Sequence, residues 1–261
     1  MSKKALVVIS FGTTYPKARQ AIAQIEDSLQ QAFPGYDFFR AFTSGMVIRK
    51  IEREEGVRIL SPAEQMEQLV AAGYEEVLCQ SLHVMPGMEY EKMLMQLLPY
   101  RSRFQSMKIG KPMLFHTEDY AEICHRLLQE IPALAPDEAY VYMGHGTEHF
   151  ANATYSQVEN MFRSLGAERV YVGTVEGFPG LDYIRGRLKQ HGVRRVTLAP
   201  FMIVAGDHAQ NDLAGEEEDS WKSILQADGY AVQTDLRGLG ELDAVRELFV
   251  RHAREVAPRS L

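Results

Sequence analysis

Two histidines and a glutamate offer this sequence its most distinctive chemistry. His145 sits in Tyr142-Met143-Gly144-His145-Gly146-Thr147, Glu176 in Gly173-Thr174-Val175-Glu176-Gly177, and His208 at the end of Met202-Ile203-Val204-Ala205-Gly206-Asp207-His208. Each follows a short apolar run, so each falls at or past the carboxyl end of an expected strand. Parallel α/β sheets bind their ligands beyond those ends. Neutral imidazole and carboxylate are suitable ligands for Co, Fe, Ni or Zn. Three protein ligands also leave coordination positions open, as a catalytic or transfer site requires. The set is read as a metal or catalytic site. A lone loop histidine is more often packed or solvated than a ligand, and His116, His125, His149, His191 and His252 are set aside on that ground. His145 differs because glycines flank it, which allows close approach of a ligand or unusual backbone angles. His208, after Ala205-Gly206-Asp207, follows the same logic.

Short Val-, Leu- and Ile-rich runs position these residues. Strands are expected at Ala5–Ser10, Asp37–Phe42, Glu76–Ser81, Met113–Phe115, Ala139–Gly144, Arg169–Thr174, Val193–Pro200 and Tyr230–Thr234. Amphipathic helices are expected between and after them, including Pro16–Phe33, Glu89–Arg101, Glu118–Gln129 and Glu241–Val256. This alternation predicts an α/β protein with parallel sheets built from βαβ units. An internal repeat sharpens the picture. Val8–Thr14 aligns with Tyr142–Glu148, Arg40–Gly45 with Val172–Gly177, and Gly73–Leu82 with Gly192–Phe201, in the same order. Two similar lobes are expected, residues 1–130 and 138–261, with the second carrying the metal site. Ile131-Pro132-Ala133-Leu134-Ala135-Pro136-Asp137 reads as the linker.

In the first lobe, Phe11, Ser44 and Glu89 occupy the places of His145, Glu176 and His208. One half would then hold the metal and the other something large and flat. Ser10, Thr13, Thr43 and Ser44 could hydrogen-bond its periphery, and Arg40, Arg49 and Lys50 could meet carboxylates. His83 and Glu89 lie on the loop equivalent to that of His208. Glu89 reads either as an acid–base group or as the first-turn acid of a helix, where the dipole favours it. The acidic run Glu216-Glu217-Glu218-Asp219 reads as a solvated face.

Composition narrows the partners. Acids outnumber bases 35 to 28, a formal charge of −7, which disfavours a nucleic-acid partner. Hydrophobic residues, at 46%, suffice for a sizeable core. Cys79 and Cys124 form no CxxC pair, so a reducing compartment is expected. The first apolar run passes at once into Ser10-Phe11-Gly12-Thr13-Thr14, unlike a signal peptide. No run approaches the roughly 20 residues that span a bilayer. A cytoplasmic protein without a membrane partner is expected; homo-oligomerisation is left open.

Several longer motifs resemble one family. Ser10-Phe11-Gly12-Thr13, Phe39-Arg40-Ala41-Phe42-Thr43-Ser44-Gly45-Met46, Met143-Gly144-His145-Gly146 and Val204-Ala205-Gly206-Asp207-His208-Ala209-Gln210-Asn211-Asp212 look like the anaerobic-pathway sirohydrochlorin cobaltochelatases of the CbiK type. The likeness extends to Gln80-Ser81-Leu82-His83, Glu89-Tyr90-Glu91-Lys92 and Asp219-Ser220-Trp221-Lys222, and runs nearly the full length. The resemblance implies the chelatase fold, two Rossmann-like lobes with an interlobe cleft. It implies Co2+ insertion into a tetrapyrrole substrate, sirohydrochlorin, during cobalamin synthesis, with no organic cofactor. It also implies His145, Glu176 and His208 as metal ligands and His145 as proton acceptor. Glu89 is the second expected catalytic residue, and Ser10, Phe11, Gly12, Thr13, Thr43, Ser44 and His83 are the expected substrate-binding set. Insertion of Fe2+ or Ni2+, or a non-catalytic carrier of tetrapyrrole or metal, would use similar residues.

Overall fold

A computed structural model describes residues 2–257. Its contacts divide the chain into two units. One comprises the chain up to Phe115 and again from Gly240; the other is His116–Leu239.

In the first unit, β1 (Lys4–Ser10), β2 (Asp37–Phe42), β3 (Glu76–Ser81) and β4 (Ser106–Gly110) form a parallel sheet in the order β2-β1-β3-β4. β1 lies at its centre and is buried along nearly its whole length. A strand covered on both faces needs a continuous apolar run, and Ala5-Leu6-Val7-Val8-Ile9 supplies one. Helices α1 (Pro16–Ala32), α2 (Gly45–Glu55), α3 (Pro62–Ala71) and α4 (Met88–Leu97) make the crossovers. Ser61 and Glu64 close a reciprocal capping box on α3, and Ser44 caps α2.

The second unit repeats the plan. Strands β5 (Glu138–Gly146), β6 (Val170–Glu176), β7 (Arg195–Pro200) and β8 (Ala231–Thr234) pair in the order β6-β5-β7-β8, all parallel. Helices α5 (Thr117–Glu130), α6 (Ala153–Ser164), α7 (Leu181–Gln190) and α8 (Trp221–Ala227) accompany them. The aligned sequence blocks therefore fall on β1 and β5, β2 and β6, and β3 and β7. In both sheets the strand order reverses beside the first strand, which puts a topological switch point at the carboxyl ends of β1/β3 and of β5/β7.

The structure departs from the sequence expectation in two respects. The fourth strand of the first sheet is Ser106–Gly110, not Met113–Phe115. Lys108 and Gly110 make that edge strand look unlike a buried one. Met113 and Leu114 are apolar and fully buried, but their amides bond only to the carbonyls of His83 and Val84, beyond the end of β3. The second departure concerns two helices. α9 (Asp243–Val256) packs on α1, β3 and β4 of the first unit and buries Val245, Leu248, Phe249, His252 and Ala253. Lys111 pairs with Glu255 at 2.9 Å and Arg246 donates to Gln24 at 2.9 Å. α5 instead packs on α6, with Tyr120 Oη 3.2 Å from Thr154 Oγ1 and Cys124 Sγ donating to Val158 O. The packing thus differs from a 1–130 and 138–261 division by these two helices. Amphipathic periodicity shows that a helix has a buried face without showing which sheet covers it.

Candidate metal centre

The three chosen residues come to one edge of the second sheet. His145 is the penultimate residue of β5, Glu176 ends β6, and His208 lies past β7. The rings of His145 and His208 meet edge to face, centroids 4.4 Å apart and planes at 87°. Glu176 Oε2 lies 4.0 Å from His145 Nδ1. All three side chains reach solvent: 47% of His145, 60% of Glu176 and 34% of His208 is exposed. They adjoin one another, yet among the described residues no three or more His, Cys, Asp or Glu side chains are placed so as to hold a metal ion together. Bringing the three donors onto one ion requires side-chain rotation, which their exposure permits.

Glycine and two polar side chains fix the backbone beneath them. Gly146 pairs with Glu176 across β5 and β6 and has φ +83°. A Cβ there would stand 1.5 Å from the Glu176 carbonyl oxygen, so only glycine lets these strand ends touch. Gly144 serves packing rather than ligand approach, because the Tyr155 ring fills the space of its missing side chain. The Tyr155 hydroxyl accepts from Gly146 N at 3.3 Å, and burial pushes its pKa up to about 12. Asn152 ties the two loops: its Oδ1 accepts from Thr147 N at 3.0 Å and its Nδ2 donates to Phe178 O at 2.5 Å. The loop after β6 is folded back further by Thr174, whose N and Oγ1 both donate to Pro179 O.

Each imidazole has its Nδ1 engaged. That of His145 donates to Gly146 O at 2.8 Å, and that of His208 lies 2.7 Å from Asp212 Oδ2. Carbonyl and carboxylate oxygens accept only, so the proton sits on Nδ1 and the Nε2 lone pair of each ring remains for a cation. Asp212 was legible only as part of a longer motif; its i, i+4 spacing from His208 was the available signal. Nothing in the sequence singled out Tyr155 or Asn152, whose partners are distant backbone atoms.

The expected residues of the first unit gather at the corresponding strand ends. Glu89, in the first turn of α4, accepts from Thr43 Oγ1 at 3.1 Å and pairs with Lys92 at 2.7 Å. His83 is buried, with Nδ1 2.9 Å from Ser81 Oγ. Its Nε2 and the buried Ser10 Oγ lack hydrogen-bond partners among the described residues. Burial lowers the His83 pKa to about 4, against a small opposing pull from Glu89. Ser44 Oγ accepts from Val47 N and Thr13 Oγ1 from Tyr15 N, which leaves each hydroxyl its proton to donate. Arg40 is held by the buried Glu26 carboxylate. Gly12, at φ +91°, lies against the Phe42 ring, while Phe11 is 45% exposed and presents an apolar face. Met46 and Met88 are exposed at the starts of α2 and α4. The acidic run 216–219 is exposed, with Glu216 paired to Lys222.

Comparison with known proteins defines the class first. A structure titled SirB from Bacillus subtilis with Fe3+ superposes with a TM-score of 0.64 at 15% identity, covering 97% of this chain and 95% of that one. DR2241 from Deinococcus radiodurans, a multi-domain protein with structural similarity to chelatases, gives 0.64 at 16% identity over 99% of this chain and 56% of that one. The fold is that of the chelatases. The family model for cobalt chelatase (CbiK) matches residues 4–258, and this chain belongs to that family. A sirohydrochlorin cobaltochelatase from Salmonella typhimurium is 41% identical over 97% of this chain and 96% of its own length. A sirohydrochlorin cobaltochelatase, CbiKC, from Nitratidesulfovibrio vulgaris is 32% identical over 97% of this chain and 90% of its own length.

Proposed function

We propose that this protein inserts Co2+ into sirohydrochlorin, the cobalt-loading step of anaerobic cobalamin synthesis, and that it works in the cytoplasm. The observation that carries the reading is full-length kinship at 41% identity with a sirohydrochlorin cobaltochelatase. The juxtaposed His145, Glu176 and His208 side chains support it at the level of chemistry.

Insertion exchanges two pyrrole N–H protons for one divalent ion. Imidazole lone pairs and a carboxylate can bind the ion first and release it by stepwise ligand exchange. An imidazole that gives up the metal regains the lone pair needed to accept a pyrrole proton. His145 takes this role for one proton, and a carboxylate takes the second, either that of Glu176 as it leaves the metal or that of Glu89. In the first unit, exposed Phe11 offers a surface for a flat macrocycle. Glu89 is placed among hydrogen-bonding groups that could serve its periphery or its protons.

The test is turnover. Protein far below stoichiometry is mixed anaerobically with sirohydrochlorin and Co2+, and the macrocycle absorbance is followed. Many metallated equivalents per chain are expected, whereas a single equivalent would mean a carrier. Parallel runs with Fe2+ and Ni2+ at controlled free concentrations compare the metals.

A further inference from the structure

His208 and Asp212 lie on the segment after β7, which is π-helical over Ala209–Leu213. Such turns are uncommon and frequently occur at functional sites. Here the turn brings Asp212 Oδ2 to 2.7 Å from His208 Nδ1. His145 has the same tautomer but a different backing group, the neutral carbonyl of Gly146. The adjoining imidazoles therefore differ in the group hydrogen-bonded behind them: a carboxylate at His208 and a carbonyl at His145, whose Nδ1 has the Glu176 carboxylate only at 4.0 Å. A carboxylate that accepts from an imidazole fixes its orientation and makes the opposite nitrogen a stronger donor to metal.

We propose that Asp212 is a positioning residue that makes His208 the retaining ligand for Co2+ and leaves His145 the ligand that releases first. This rests on the metal-site reading above. The metal–Nε2 bond of His145 breaks as a pyrrole nitrogen bonds the ion, and the displaced pyrrole proton goes to the vacated Nε2. His208 keeps its bond until the macrocycle holds the ion. The order follows from the backing groups and reconciles the two tasks given to His145, which cannot bind metal and proton through one lone pair at once.

The test measures Co2+ affinity of the whole chain without tetrapyrrole, from the cobalt d–d absorption. Asp212→Asn should weaken binding by about 10- to 100-fold, the usual effect of losing such a carboxylate. His208→Ala should weaken it more than His145→Ala does. In 15N spectra of histidine-labelled protein without metal, Asp212→Asn should loosen the Nδ1–H tautomer of His208 and leave His145 unchanged. Asp212 is 42% exposed, so its replacement opens no cavity in the core. Unchanged affinity in both Asp212→Asn and Asp212→Ala, with His208→Ala impaired, overturns the role of Asp212 alone. Greater loss in His145→Ala than in His208→Ala overturns the order of release. Unchanged affinity in His208→Ala overturns the metal-site reading itself.

Discussion

In the proposed insertion His145 carries two duties, as metal ligand and as proton acceptor. The Gly146 carbonyl orients the ring, the Glu176 carboxylate stands 4.0 Å from the same nitrogen, and about half of the side chain faces solvent. His145→Ala should abolish chelation while leaving sirohydrochlorin binding largely intact, read by absorbance titration beside a turnover assay; retained turnover would remove His145 from the mechanism. His83 is the contrasting histidine, buried and kept neutral. The unfolded chain takes up a proton there near pH 6.5, whereas the folded protein resists it until about pH 4. The stability this residue contributes is therefore present above about pH 6.5 and is lost as pH falls toward 4. The difference in unfolding free energy between the wild type and His83→Gln should shift across that window by on the order of 3 kcal/mol, measured by urea titration at each pH. A difference that does not vary with pH would contradict the buried neutral state.

At the scale of elements, the site depends on how closely β5 and β6 approach at their carboxyl ends. Gly146→Ala would place a methyl group inside the Glu176 carbonyl and force a positive φ on alanine. A loss of about 3 kcal/mol or more is expected, with weakened Co2+ binding because His145 and Glu176 move apart. Unaltered stability and affinity would show that the strand contact is not needed. Much of this was legible in the sequence. The repeat placed three strand pairs correctly because buried parallel strands have continuous apolar runs; His145 and Glu176 stand at the ends of two of them and His208 eight residues past the third. β4 was not legible, because Ser106-Met107-Lys108-Ile109-Gly110 is a short edge strand, only partly buried, with a polar and a charged residue and no continuous apolar run. The bracing of the site by Tyr155 and Asn152 was hidden for another reason: each contacts backbone brought near only by folding.

At the scale of the whole molecule, each unit is completed by a helix distant from most of its chain or preceding its sheet. α9 covers the first sheet although it is last in sequence, and α5 opens the second unit. Chains ending before α9 lose the burial of Val245, Leu248 and Phe249, worth roughly 5 kcal/mol or more, a large fraction of a domain's net stability. A fragment spanning 116–239 should therefore melt cooperatively by circular dichroism, while 1–130 and 138–261 should not. Cooperative melting of the latter pair would show that α5 and α9 are dispensable to their units. The two-sheet plan could be read from the repeat, but these partnerships could not, since periodicity records a buried face and not its neighbour. No helix among the described residues is long and apolar enough to cross a membrane.

The most direct measurement is an anomalous-scattering map at the cobalt edge from crystals of this protein grown with Co2+. One peak is predicted, bonded at about 2.1 Å to Nε2 of His145, Nε2 of His208 and the Glu176 carboxylate. Cobalt bound instead at His83 and Glu89 or along 216–219, with those three side chains unligated, would contradict the account.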